Sequence, residues 1–126
     1  MKRLTFAFCI LLILSIYNWY AEKYILDFCD EISYILESCA NEIKEEKYSQ
    51  AESTVSKLYN LWEENDVIMS VFIGDDTVIE PQESITSIRL NIEDKNYKQC
   101  LVSIRECQGY IHEITENNRT SFGNVL

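Results

Sequence analysis

The chain has 126 residues, enough for one small domain, and carries 21 acidic against 11 basic residues, a formal net charge of −10. This balance argues against a nucleic-acid partner, because phosphate neutralisation needs an excess of Lys and Arg. A single histidine leaves little room for a His-based metal site or catalytic dyad, and three Gly with one Pro argue against a turn-rich β-sandwich or barrel.

The first twenty residues predict a membrane segment. Lys2 and Arg3 precede an apolar run from Leu4 to Ala21, about 27 Å long as a helix against roughly 30 Å of hydrocarbon. Aromatic residues follow, as in the aromatic belt of a membrane helix. An uncleaved anchor is favoured over a cleaved secretory signal, because Trp19 stands where cleavage after Ala21 needs a small residue. In both cases the basic start stays inside and the rest crosses the membrane.

We therefore expect two parts, a membrane anchor over residues 1–21 and an extracytoplasmic helical bundle with a short C-terminal tail over residues 22–126. The second part holds nine basic and all 21 acidic residues, a formal charge of −12. The acids are scattered, which favours a solvated outer face over cation attraction. Such a charge also disfavours lying flat on anionic lipid.

Four stripes of apolar residues at three- and four-residue spacing predict helices. The stripes run from Ile25 to Ile43, from Ala51 to Phe72, from Val78 to Ile92 and from Tyr97 to Ile114. Because no Gly or Pro precedes Gly74, the first helix can continue the anchor as one rod. Asn65 lies on the second stripe and is interpreted as the point where that stripe turns toward solvent.

Short signals predict where these helices begin and end. In chain order they are a capping box at Ser49 and Glu52, Gly74 as the C-terminal cap of the second helix, a capping box at Thr77 and Glu80, Pro81 within or just before the first turn of the third helix, Asn96 with Gln99 opening the fourth, and Asn117 with Asn118 ending it. The tail from Arg119 to Leu126 is expected to fold back onto the bundle or to lie near the membrane.

A weak internal repeat supports two hairpins. The segment from Ile43 to Val55 parallels the segment from Ile92 to Ile104 at an offset of 49 residues, and each surrounds a tight link between helices. The predicted fold class is all-α: an N-terminal transmembrane helix followed by an antiparallel bundle of about four helices, made of two αα-hairpins. The long first and second helices outreach the third, so some apolar surface is expected to remain open for pairing with another chain.

The cysteines leave two interpretations open. Cys9 falls in the anchor, and the other four lie on apolar stripes as small buried hydrophobes, which is the favoured interpretation. The alternative is a pair of disulfides in an exported domain, Cys39 with Cys100 and Cys29 with Cys107. If the first and fourth helices are antiparallel neighbours, the residue numbers of facing positions have a nearly constant sum, and these two pairs meet that condition. A zinc site is less favoured, since no pair has the close spacing of zinc ligands.

Two other groups of residues are candidates for a site. Asp75, Asp76, Glu80 and Glu83 could hold a hard cation, but helix capping is favoured because the spacing does not match a calcium loop. His112 follows a stripe position and is expected to face water, without an obvious nucleophile nearby. The sequence therefore predicts no catalytic residue, no metal ligand and no cofactor.

A resemblance extends over nearly the whole chain. It is carried by Ala51, Leu58 and Trp62, by the segment from Val71 to Asp76, by Ile85, Ile88 and Ile92, and by the segment from Phe122 to Leu126. The chain resembles an uncharacterised bacterial family of small anchored proteins, numbered forty-three sixty-three among the domains of unknown function. The resemblance implies an N-terminal membrane helix, an all-helical outer part, no known activity, and genes that neighbour those of multi-span membrane proteins. The family often carries a histidine at the end of the second helix, where this chain has Gly74, so a role for that histidine does not carry over.

The predicted function is a membrane-tethered, non-catalytic interaction module or accessory subunit of another membrane protein. Its expected partners are membrane lipid, through the N-terminal helix, and a protein such as a multi-span membrane protein. The expected location is the cell membrane, as a single-pass protein with the bundle outside. The alternative is an extracytoplasmic ligand, cation or redox sensing module. An enzyme ranks last, because no nucleophile, base and orienting group occur together.

Overall fold

Four α-helices account for nearly all of the chain in a computed structural model that describes the backbone of residues 1–125 and the side chains of residues 1–119. In chain order the helices are α1 (Lys2–Lys44), α2 (Tyr48–Ile73), α3 (Asp75–Glu93) and α4 (Tyr97–Val125). Each helix packs on the helix that follows it, and α4 returns to α1, which closes an antiparallel up-down-up-down bundle. No strand occurs among the described residues, and the all-α prediction is confirmed.

The apolar segment predicted as an anchor and the first bundle helix form one rod, as the absence of Gly and Pro predicted. α1 has 43 residues and is about 65 Å long. Its buried residues begin at Ile25 and end at Ile43, so only the C-terminal half of the rod belongs to the bundle. The N-terminal half projects from one end of the bundle, with every side chain from Met1 to Tyr20 exposed.

The predicted apolar stripes are the core of the bundle. The side chains that are 0% exposed include Cys29, Ile32, Leu36, Cys39, Ala51, Leu58, Met69, Ile88, Cys100, Cys107 and Ile111. Trp62 is the largest buried side chain, at 1% exposed, and its ring centroid lies 5.9 Å from that of Phe28. Burial of apolar area is the main force that holds four amphipathic helices together.

The internal repeat corresponds to two equivalent turns. Glu46 and Lys95, 49 positions apart, both adopt positive φ values, of 62° and 59°. The amide that follows each of them donates to a carbonyl five residues earlier at 2.8 Å, the bond of a Schellman motif. Tyr48 and Tyr97, which begin α2 and α4, stack with ring centroids 3.9 Å apart. The repeat therefore joins the two hairpins at the end of the bundle far from the projecting rod.

The link between α2 and α3 is a single residue, Gly74. It ends α2 at Ile73, as predicted, and its amide donates to the Ser70 carbonyl at 2.8 Å. Its φ of 93° and ψ of 151° lie in a region that is almost restricted to glycine. The chain reverses there without a loop, so α3 starts at the next residue, Asp75.

Alanine at Gly74 should destabilise the bundle, whereas alanine at the other described glycine should not. Gly74→Ala places a Cβ at a positive φ and is expected to cost about 1–3 kcal/mol. Gly109 lies exposed within α4 with nothing within 4 Å of an added Cβ, so Gly109→Ala should stabilise by about 0.5–1 kcal/mol. Urea unfolding of the full chain in detergent measures both, and equal effects of the two variants would contradict the turn geometry.

Two of the three predicted helix starts were wrong, and one is confirmed. α2 begins at Tyr48 after Lys47, without a side-chain cap, so Ser49 and Glu52 are not a capping box. The box at Thr77 and Glu80 is wrong, and Pro81 is the seventh residue of α3, because Gly74 starts that helix immediately. The predicted start of α4 is confirmed, since the Gln99 amide donates to Asn96 Oδ1 at 3.3 Å.

The predicted end of α4 was also wrong. Asn117 and Asn118 do not stop the helix, which continues to Val125. Asparagine costs only about 0.7 kcal/mol in a helix, so two of them cannot end one without a turn residue at positive φ. The side chains of residues 120–126, including Phe122 of the predicted tail, lie outside the described residues.

Candidate functional site

The projecting half of α1 is the largest exposed apolar surface that the structure describes. Its large apolar side chains are 42% to 105% exposed, namely Met1, Leu4, Phe6, Phe8, Ile10, Leu11, Leu12, Ile13, Leu14, Ile16, Tyr17, Trp19 and Tyr20. Among residues 1–125, α1 is the one helix that is long and apolar enough to cross a membrane. A surface of this size in water marks a segment that is covered by lipid or by another protein.

The bundle meets the projecting half of α1 through a cluster of aromatic rings. The Phe72 ring lies 5.8 Å from that of Tyr17 and 5.6 Å from that of Tyr24, both edge-on. The Tyr24 hydroxyl donates to Asn65 Oδ1, and Asn65 Nδ2 donates to the Leu61 carbonyl at 2.8 Å. Asn65 therefore faces α1, and its interpretation as a solvent-facing break was wrong. These contacts fix the C-terminal turns of α2 beside the C-terminal end of the apolar segment.

The same end of the bundle carries exposed apolar side chains of its own. We call residues 67–79, the last turns of α2 and the first turn of α3, the α2–α3 end. Within it Val67 is 72% exposed, Val71 69%, Ile79 48% and Ile68 44%. Exposed apolar side chains therefore lie at this end, beside the projecting half of α1, although α3 begins directly after α2 here and does not fall short of it as the sequence suggested.

The structure brings one of the two predicted cysteine pairs together. Cys39 and Cys100 lie near each other in the α1–α4 interface, where burial and, to a lesser extent, the charge of a Cys100 thiolate raise the pKa of Cys39. Cys29 lies beside the Thr115 hydroxyl, and Thr115 is two helical turns, about 12 Å, beyond Cys107. The disulfides between Cys39 and Cys100 and between Cys29 and Cys107 both stay predictions. All five cysteines are free thiols in the structure.

Burial makes the four bundle thiols unreactive. Loss of solvent raises the pKa of Cys39 and of Cys107 to about 12, and the pKa of Cys29 and of Cys100 to about 11. The thiolate is the form that reacts with oxidants and binds metals. A redox-sensing site is therefore less favoured than four small buried hydrophobes.

These pKa shifts predict a loss of stability at alkaline pH. Below pH 9, the ordinary pKa, the thiols are protonated in both states and the stabilisation is complete. Between about pH 9 and 12 the unfolded chain releases thiol protons that the folded chain retains, so the free energy of unfolding falls. Urea unfolding at several pH values measures the slope, and Cys39→Ala with Cys100→Ala should reduce it. A slope unchanged by that double variant would contradict free, buried thiols.

The acidic residues proposed as a cation site do not form one. Asp75 and Asp76 lie exposed in the first turn of α3, where they favour the helix N-terminus. Among the described residues no group of three or more His, Cys, Asp or Glu could hold a metal ion. Glu80 and Glu83 instead approach Tyr110 on α4, and partial desolvation with the surrounding carboxylates raises the pKa of its hydroxyl. His112 is exposed, as predicted.

A shallow groove of about 390 Å³ lies between α2 and α3, toward the end of the bundle that carries Tyr48 and Tyr97. Arg89 crosses it with its guanidinium carbon 4.2 Å from the centroid of Tyr59, and its Nε lies 3.3 Å from Glu93 Oε1. Both interactions hold the arginine against its own protein. The groove is therefore accounted for by packing within the bundle.

Sequence reasoning missed the polar contacts between α3 and α4. Ser87 Oγ and Ser103 Oγ are 2.9 Å apart, and Asn91 Nδ2 donates to both oxygens at 3.3 Å. Ser103 is 1% exposed and comes three residues after Cys100, at helical spacing on the buried stripe. That spacing was a signal for burial, and it was overlooked because serine is commonly exposed.

Residues 19–125 match the family model of the domain of unknown function DUF4363. The chain belongs to the DUF4363 family. No curated protein and no solved structure matches it. Six of the DUF4363 residues that carry the resemblance are core positions, among them Leu58, Trp62 and Ile88, each at most 1% exposed. The family match therefore describes how this chain folds, and its matched region begins where α1 approaches the bundle.

Proposed function

We propose that this DUF4363 protein is a membrane-tethered, non-catalytic interaction module that serves as an accessory subunit of another membrane protein. The observation that carries the proposal is the unbroken helix α1, whose first half is exposed and apolar and whose second half is bundle core. In a water-soluble domain such a projection would only lower the solubility, because its apolar surface is exposed to water. In a bilayer the same projection is an anchor.

The charge distribution supports an orientation with the bundle outside the cell. Lys2 and Arg3 flank the apolar segment on one side, and basic flanks stay on the cytoplasmic side. The bundle on the other side carries a formal charge of −12. Because anionic lipid repels a domain with that charge, most of the bundle stays in water, away from the membrane surface.

The rigid link between anchor and bundle favours a subunit over a flexible tether. Between Lys2 and Lys44 the helix has no Gly, Pro or other break at which it could bend. A partner that contacts the apolar half of α1 in the membrane would therefore find the bundle at a fixed height and rotation. Tyr34, 75% exposed on the bundle half of α1, is available on that outer surface.

Co-purification tests the proposal. The full chain, tagged at its C-terminus, is crosslinked in membranes and purified in mild detergent, beside an unrelated single-pass protein with the same tag. We expect one membrane protein in fixed stoichiometry with this chain and absent from the control, recovered again when the partner carries the tag. A chain that purifies alone after crosslinking, as a monomer by light scattering, would contradict an accessory subunit.

A further inference from the structure

The contact between Phe72 and Tyr17 sets the depth of the α2–α3 end relative to the anchor. Tyr17 is only about 20 Å along α1 from Leu4, where the apolar run begins, whereas the hydrocarbon core is roughly 30 Å thick. With Leu4 at the inner boundary, α1 leaves the hydrocarbon near Lys23. Because the Phe72 ring touches the rings of Tyr17 and Tyr24, it lies at the outer boundary of the same bilayer.

The side chains exposed at this depth are those that favour a lipid interface. Val67, Val71 and Ile79 of the α2–α3 end are 72%, 69% and 48% exposed. Trp19 and Tyr20 on α1, each 58% exposed, lie at the same level, where aromatic residues are enriched in membrane proteins. The exposed apolar side chains of the bundle end thus lie at the same level as those at the C-terminal end of the anchor.

We propose that the α2–α3 end docks in the headgroup layer of the bilayer that holds α1, with zwitterionic phospholipid as its partner. The proposal rests on the membrane tether proposed above. Val67, Ile68, Val71 and Ile79 contact the boundary between headgroups and acyl chains, as the apolar face of an interfacial helix does. The docked end holds the bundle upright and fixes its rotation about α1.

The acidic residues of the turn define both the depth and the lipid. Asp75 and Asp76 are exposed at the tip, and a carboxylate inside the hydrocarbon is strongly unfavourable. The tip therefore stops among the headgroups, where the ammonium groups of zwitterionic lipid can pair with the two carboxylates. Lys2 and Arg3 extend toward the opposite interface, and the bilayer thins locally around the short span. Anionic lipid repels the same two carboxylates.

Fluorescence quenching of the full chain in phosphatidylcholine nanodiscs tests the docking. A fluorophore is attached through Val71→Cys or, separately, Val67→Cys, each combined with Cys9→Ala. The buried thiols stay unlabelled. Leu90→Cys is the matched control, because Leu90 is also an exposed apolar residue of the bundle, 55% exposed, but lies toward the opposite end. A label on the native Cys9 reports insertion of the anchor itself.

The expected result is that lipids with a shallow nitroxide quench the labels at positions 71 and 67 about twofold more than the label at position 90, while iodide quenches in the reverse order. Replacing phosphatidylcholine with phosphatidylglycerol should weaken the lipid quenching. Equal quenching at positions 71 and 90 overturns the docking. The Cys9 label then decides the fate of the membrane tether: the tether stands if lipids with a deep nitroxide quench this label, and it fails if they do not. Labels shielded from both lipid and iodide also overturn the docking, since another protein chain then covers the surface.

Discussion

Replacing Leu11 and Leu14 with aspartate is expected to release the protein from the membrane. Both side chains are more than half exposed in the projecting half of α1, near the middle of the apolar segment. A charged residue at the centre of a membrane helix costs about 3 kcal/mol, so two of them remove about 6 kcal/mol of the insertion free energy. Carbonate extraction of membranes measures the result as movement of the chain from pellet to supernatant.

Tyr34→Asp is the control for that experiment. Tyr34 is 75% exposed and lies on the same helix, in the half that belongs to the bundle, so the added charge stays in water. The Tyr34→Asp protein should remain in the membrane pellet. If both aspartate variants stay in the pellet, the apolar half of α1 is not what attaches the protein to membranes.

Removing the Trp62 side chain is expected to cause the largest loss of stability of any single core substitution. Trp62 is 1% exposed and packs against Phe28 between α1 and α2. Trp62→Ala leaves a cavity that the rigid helices cannot fill, at a cost of about 3–5 kcal/mol. Most small domains have only about 5–15 kcal/mol in total, so urea unfolding of this variant should begin at much lower denaturant.

Two matched variants separate burial from chemistry. Trp19, the other tryptophan, is 58% exposed on α1, and Trp19→Ala should change the free energy of unfolding by less than about 0.5 kcal/mol. Trp62→Phe should cost far less than Trp62→Ala, because the indole nitrogen of Trp62 has no hydrogen-bond partner in the described part of the chain. Similar losses for Trp19→Ala and Trp62→Ala would contradict the packing of α2 on α1.

Helical spacing predicted the fold because burial of apolar side chains decides it. The stripes from Ile25 to Ile43 and from Tyr97 to Ile114 are buried along their length, and the 49-residue repeat correctly indicated two hairpins. Helix ends were harder to predict, because a cap contributes only about 1 kcal/mol and competes with packing. At Ser49 the stacking of Tyr48 on Tyr97 begins α2 two residues earlier than the capping box would.

The candidate site was only partly predictable. The long apolar first half of α1 could be predicted from the sequence, because an apolar run of that length is readily recognised. The position of the α2–α3 end along α1 could not, since it depends on which residue of α1 meets Phe72, and an apolar stripe leaves that register open by a helical turn. The neighbours of Cys29 depend on register in the same way, and in the structure its thiol lies beside the Thr115 hydroxyl of α4.

Labelling of an introduced cysteine in cells tests the membrane-spanning rod most directly. Tyr34→Cys, combined with Cys9→Ala, places an accessible thiol on the bundle half of α1, beyond the apolar segment. The account predicts that a maleimide unable to cross membranes labels this cysteine in intact cells as fully as in permeabilised cells. Labelling that appears only after permeabilisation would place the bundle inside the cell and contradict it.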